Sequence, residues 1–139
     1  MSDRYFVDTN ILVYAYDRAA GEKHSRSRSL LERLWENGQG VMSTQVLQEF
    51  CVNVRHRIQV PLPLEEVREI IDEYQAWEIR FIWPTTILKA LDKETKFRIS
   101  FWDALILQSA EEAGASIVYS EDLNHDQLYG SVQVVNPLL

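Results

Sequence analysis

The sequence predicts an α/β domain built on a parallel sheet, on three observations. Short apolar segments of strand character alternate with longer segments of helical period along the whole chain. Polar residues, several of them acidic, stand where the apolar segments end. The chain has 139 residues, 46% of them hydrophobic and 11% aromatic, which suits one ordinary domain over residues 1–139 with a sizeable core.

The elements follow in order. Tyr5-Phe6-Val7 reads as a short buried strand ending at Asp8. A helix carrying Ile11, Leu12, Tyr14 and Ala15 comes next. Gly21 precedes a longer helix over 22–36, with Leu30, Leu31, Leu34 and Trp35 on its apolar face, and Asn37-Gly38 stops it. Val41-Met42 is a second strand. Ser43 or Thr44 caps a helix to about residue 58, with Val46, Leu47, Phe50, Cys51, Val54 and Ile58 on one stripe. Pro61-Leu62-Pro63 breaks the chain before an amphipathic helix over 64–77. Residues 80–83 read as a third strand ended by Pro84, and Thr85-Thr86 starts a helix to about Phe97. Ser100 starts a helix that is apolar nearly all round to Ala110, which marks it as buried. Gly114 ends it, residues 116–120 form a fourth strand, and Val132–Val135 a fifth, stopped by Asn136-Pro137. The expectation is a central parallel sheet of about five short strands flanked by helices. In such sheets ligands bind beyond the carboxyl ends of the strands, where Asp8 and Asp122 fall.

Composition narrows the function. No apolar stretch approaches the roughly 18 residues that span a membrane, and the opening Met-Ser-Asp-Arg has no signal-peptide pattern. The single Cys51 has no internal disulfide partner, which fits a reducing cytoplasm. On its helix it reads as a core thiol. A net charge of -7 lacks the basic footprint of a passive nucleic-acid binder. It weighs less against a nuclease whose acids hold cations, because bound metal reverses the local field.

Four acids carry the chemistry. Asp8, Glu49, Asp103 and Asp122 stand at the ends of apolar segments or within them, spread along the chain. A carboxylate at the edge of a buried element is costly unless something pairs with it. Four that converge would repel one another, and a hard divalent cation would cancel that repulsion. Oxygen ligands suit Mg²⁺ or Mn²⁺, so the set implies a metal-dependent nuclease. Each acid also has an ordinary reading. Asp8 can cap a helix or turn, although Thr9 and Asn10 are cap candidates too. Ser100-x-x-Asp103 matches a capping box. Glu49 lies off the apolar stripe and can be a solvated helix residue. Asp122 competes with Glu121 and Asp126 in a turn-forming stretch.

As an ordered set these segments say more. Phe6-Val7-Asp8-Thr9-Asn10-Ile11-Leu12, Ser43-Thr44 with Glu49, Trp102-Asp103-Ala104-Leu105-Ile106 and Tyr119-Ser120-Glu121-Asp122 together resemble a PIN domain. Within that family the chain most resembles the VapC-like toxin ribonucleases of type II toxin–antitoxin modules, over essentially its whole length. The resemblance implies a PIN-like fold and cleavage of RNA phosphodiester bonds. It implies Asp8, Glu49, Asp103 and Asp122 as catalytic, metal-holding acids for Mg²⁺ or Mn²⁺. Thr9, Asn10, Ser43, Thr44 and Ser120 become supporting polar groups. It further implies a small antitoxin partner and a homodimer.

The remaining charged residues give weaker signals. Lys23, His24, Arg26, Arg28 and Arg33 load one helix. Arg55, His56 and Arg57 end another, and Lys89, Lys93, Lys96 and Arg98 load a third. Each cluster reads as a solvated face that can also hold RNA phosphates. His24, His56 and His125 share no ligand spacing, and no Cys/His zinc pattern exists. The rival reading is a non-enzymatic phosphoacceptor receiver-like domain. It needs an acidic pair after the first strand and a lysine after a late one, whereas Asp8-Thr9-Asn10 and Ser120-Glu121-Asp122 stand there. Asn10 likewise breaks an Asp-x-Asp phosphatase pattern. A PIN-like scaffold without catalysis is disfavoured because all four acids are present.

Overall fold

The computed structural model describes residues 3–139; Met1 and Ser2, part of the opening read for a signal peptide, lie outside the described residues. Strand β1 (Tyr5–Val7) leads into α1 (Thr9–Tyr16), a 3-10 turn at Arg18–Ala20 and α2 (Glu22–Asn37). Then come β2 (Gly40–Ser43), α3 (Thr44–His56), α4 (Leu64–Tyr74) and β3 (Glu78–Arg80). The second half holds α5 (Pro84–Phe97), α6 (Phe101–Glu112), β4 (Ile117–Tyr119), β5 (Leu128–Tyr129) and β6 (Val132–Val135). The sheet order is β3-β2-β1-β4-β6-β5, parallel except for the β5–β6 hairpin.

Local chemistry explains most boundaries. Gly38 ends α2 in the left-handed conformation (φ 69°), its N–H bonding to the Leu34 carbonyl. Ser43 caps α3 and Ser100 caps α6, each with its hydroxyl. Helix α6 is buried over Ala104 to Ala110, as an all-round apolar helix must be, and it packs against β2, β4 and β6 as well as α5. Cys51 is partly buried against the main core.

Two expectations need correction. The third strand is Glu78–Arg80, not 80–83. Its register is fixed by parallel pairing of Val41 with Glu78 and Ser43 with Arg80. Phe81 and Trp83, placed in the strand by the sequence reading, stay on the surface at 63% and 59% exposure. The sheet also has six strands rather than five. The extra β5 is two residues long, turned back on β6 at Gly130 (φ 65°), and is too short to leave a periodic signal.

Beside β2 the chain is packed to contact. Gly40 is buried, and a Cβ there would fall inside the Trp77 indole. That ring cannot swing aside, because it is 8% exposed and stacked edge-on against Trp35 and Tyr74 at centroid distances of 5.5 and 5.0 Å. Gly40→Ala should therefore lower stability by about 1–3 kcal/mol, the usual cost of overpacking. Urea denaturation reads this as a lower midpoint at unchanged slope, and an unchanged midpoint would show that the aromatic cluster yields.

The topology sets the site. From β1 the chain first builds outward through β2 and β3, then returns to the other side of β1 with β4 and β6. The switch point lies between β1 and β4, and crevices form beyond the carboxyl ends of strands there. Asp8 immediately follows β1, and Ser120 to Asp122 immediately follow β4.

Candidate metal centre

Asp8 turns the chain from strand to helix. It is the N-cap of α1 (φ −75°, ψ 160°). Thr9 and Asn10 thus leave it the capping role, contrary to the expectation that they free Asp8 from it. The side chain does both jobs. Oδ1 accepts the Thr9 N–H at 2.7 Å, and Oδ2 accepts the Ser120 hydroxyl at 2.7 Å. Asp8 is only 4% exposed. Burial pushes its pKa up to about 7, against the two hydrogen bonds, and the charges of Asp122 and Asp103 push the same way.

Carboxylate oxygens of Asp8, Asp103 and Asp122 all lie within 4.8 Å of one another. Asp103 comes from the first turn of α6. The Ser100 hydroxyl accepts the Asp103 N–H at 3.1 Å, so the cap uses the backbone and leaves the carboxylate to face the cluster. Burial raises its pKa, partly offset by Ser100 and reinforced by the charges of Asp122 and Glu49. Asp122 is exposed and doubly tethered. Its Oδ2 accepts from Asn10 Nδ2 at 2.8 Å, and its N–H donates to Ser120 Oγ at 3.1 Å. Glu49 stands outside the close triad on α3, where its Oε1 accepts the Thr9 hydroxyl at 2.7 Å.

The competing acids have other partners. Glu121 accepts the Tyr14 hydroxyl at 2.6 Å and pairs with Lys23 Nζ at 2.6 Å. Burial alone would raise its pKa, but these two partners hold it below the usual carboxylate range. Asp126 has left-handed backbone (φ 66°) and pairs with His125 at 3.3 Å. Among the supporting groups, Thr9, Asn10 and Ser120 each hold an acid. Ser43 and Thr44 do not line the cleft; the Ser43 hydroxyl caps α3.

The acids line a cleft of about 440 Å³. Its other wall is Gln45, Glu49 and Asn53 on one face of α3, with Arg57 at the C-cap of the helix, four residues apart in turn. Only Glu49 of these was singled out from sequence, with Arg57 noted in a basic cluster. The signal is the i, i+4 spacing of these polar residues, about 100° around the helix from the apolar positions Val46, Phe50 and Val54. Among the described lining residues the one basic side chain is Arg57, and there is no lysine.

The donor set fits a divalent cation. A carboxylate buried to this degree, with two more within 4.8 Å, is a concentration of like charge that hard oxygen-seeking ions relieve. Nothing soft is offered, as neither histidine nor cysteine lines the cleft.

Comparison with known proteins adds the relatives. A family model described as PIN domain matches residues 5–131. No curated protein sequence matches significantly. Among solved structures, the chain is similar to a toxin-antitoxin complex from Klebsiella pneumoniae (TM-score 0.70, 17% identity, covering 96% of this chain and 97% of that one). It is similar to VapC20 of Mycobacterium tuberculosis, a sarcin-ricin loop cleaving toxin (TM-score 0.64, 18% identity, 85% and 89% covered). It is also similar to VapBC2 from Rickettsia felis, bound to a DNA fragment from their promoter (TM-score 0.64, 20% identity, 94% and 96% covered). At these identities the likeness shows the fold.

Proposed function

The chain belongs to the PIN domain family, and on that premise we propose that it is a metal-dependent endoribonuclease, the VapC-like toxin of a toxin–antitoxin module, formed as one domain over residues 1–139. The carrying observation is the triad of Asp8, Asp103 and Asp122 within 4.8 Å of one another, with Asp8 almost wholly buried. These acids, with Glu49 beside them, are the proposed catalytic and metal-holding residues for Mg²⁺ or Mn²⁺. When bound, the metal supplies charge that polarises a phosphate and lowers the pKa of water.

The chain's own residues do the rest. Ser120 and the Thr9 N–H fix both oxygens of Asp8, and Asn10 fixes Asp122, so the triad is held before substrate arrives. Thr9 holds Glu49 at the cleft wall, where it is suited to accept the proton of an attacking water. Water adds to phosphorus, its proton passes to a cleft carboxylate, and one ester oxygen departs. No side-chain nucleophile is needed.

Partners follow from relatives and surface. Solved toxin-antitoxin complexes share this fold, which supports a small antitoxin partner; the charge of the acidic cleft suits a basic side chain from it. Phe81, Trp83, Leu88 and Leu91 leave apolar surface around the start of α5, which supports a homodimer. Among the described residues no helix is long and apolar enough to cross a membrane. One free cysteine suits the cytoplasm.

The purified protein should cleave RNA in millimolar Mg²⁺ or Mn²⁺ and be silent in chelator. Equal cleavage in chelator would sink this reading. A strict monomer in sedimentation at high concentration, with no toxicity on expression, would remove the homodimer and the toxin role.

A further inference from the structure

Two cleft residues remain unexplained by a metal site. Trp102 precedes Asp103, lines the cleft and is 61% exposed. The Gln45 amide holds its backbone in place, donating from Nε2 to the Trp102 carbonyl at 3.3 Å, and Phe101 packs edge-on against its ring at 5.3 Å. Arg57 is the single cation among lining residues that include five carboxylates: Asp8, Asp17, Glu49, Asp103 and Asp122. It is exposed and, among the described residues, forms no ion pair, whereas Lys23, Arg26, Arg28 and Lys93 are all paired with acids.

Helix α3 relates the two. Gln45, touching Trp102, and Arg57 stand at opposite ends of the same stripe. Twelve residues at about 1.5 Å each separate them by roughly 18 Å. Glu49 lies between, beside the Asp8 carboxylate through Thr9. An exposed indole offers a face to an unstacked base, and an unpaired guanidinium offers a fork to a phosphate.

Resting on the ribonuclease reading, we propose that α3 is a track for a single RNA strand: Trp102 stacks a base on one side of the cleavage point, and Arg57 holds a backbone phosphate on the other. A duplex cannot use the first contact, because its bases are already stacked. The strand is therefore read as unpaired RNA, such as a loop or an end. Binding energy comes from both ends of the track, while the net-negative middle repels the strand until metal is present.

The test uses a fluorescein-labelled, unstructured 12-nucleotide RNA and the same RNA annealed to its complement. Anisotropy in Mg²⁺ is read on the Asp103→Asn background, which is expected to bind without cleaving, and steady-state cleavage on the otherwise native chain. Trp102→Ala should weaken single-strand binding about 10–100-fold with an unchanged salt slope, and Trp102→Phe should restore most of it. Arg57→Ala should weaken binding and reduce the salt slope by about 0.7, one phosphate's share. In cleavage both should raise KM far more than they lower kcat. Their effects should multiply in the double variant, since the two residues are far apart. Unchanged RNA affinity in either single variant overturns the track, as does an equal loss on the duplex. A Trp102→Ala protein that binds RNA normally but changes its sedimentation would assign the indole to a second copy of the chain. A native chain with no metal-dependent cleavage would sink the ribonuclease reading itself, a distinct result.

Discussion

Asp103→Asn should reduce metal-dependent RNA cleavage by about a thousandfold or more while the protein stays folded. The two halves of that result have separate causes. The fold keeps its cap, because the Ser100 hydroxyl accepts the Asp103 backbone N–H, which Asn retains. The half-buried position sheds a carboxylate whose ionisation burial already disfavours, so the melting temperature should hold or rise. Function loses a charge that Asn cannot replace. Metal-centred stabilisation is worth several kcal/mol, and each 1.36 kcal/mol is about tenfold in rate. Matched circular dichroism and cleavage assays check both halves. Near-native activity in a folded variant would reduce Asp103 to a helix-start residue.

Asp8→Asn should destroy activity and stabilise the metal-free protein. The carboxylate has a folded pKa near 7 against an ordinary value of 3.8. A raised carboxylate pKa means that ionisation costs the folded state more than the unfolded one. The cost is absent below about pH 4, grows through the interval and is complete above about pH 7. Asn keeps the shape, still accepts the Thr9 N–H, and can donate to Ser120, whose hydroxyl oxygen is an acceptor too. The gain in chelator should vanish below about pH 4, be roughly a third of its full size at pH 5, and reach between about 1 and 4 kcal/mol at pH 8. For a chain of this size that is roughly 4 °C per kcal/mol. Mg²⁺ should then stabilise the native chain more than the variant, because a ligand that binds only the folded state stabilises by mass action. If Asp8 matters only as a cap, Asn should be neutral or mildly harmful at every pH, and metal should shift both proteins alike.

The sequence carried the parts of this fold that have local causes. Ser43, Ser100 and Gly38 mark helix ends by their own chemistry, and the stretch from Ala104 to Ala110, apolar except for Gln108 and Ser109, reads as buried. It misled where tertiary pairing decides. Phe81-Ile82-Trp83 is an apolar run before Pro84 that reads as a strand, yet backbone register with Val41 and Ser43 places β3 before it. The β5 pair, Leu128 and Tyr129, exists because Gly130 turns it back on β6, which no periodicity of two residues can announce. For the site, the four acids were legible as an ordered set, but their ranking was not. The contacts of Tyr14 and Lys23 with Glu121, and the place of Asp122 beside Asp8 and Asp103, separate the two. For Ser43 and Thr44 the resemblance implies a supporting place near the acids. They lie off the cleft-facing stripe of α3, which starts at Gln45.

The hydrogen bonds from Ser120 to Asp8 and from Asn10 to Asp122 each join residues 112 positions apart. During synthesis β1, α1 and α3 emerge long before their counterparts, and domains fold as units once enough chain is available. Until β4 and the loop after it leave the ribosome, Asp8 lacks its hydroxyl partner and Asp122 does not yet exist beside it. The proposed activity toward RNA would thus be assembled last, by the closing of one long loop, and the half-made chain would lack the complete acidic site.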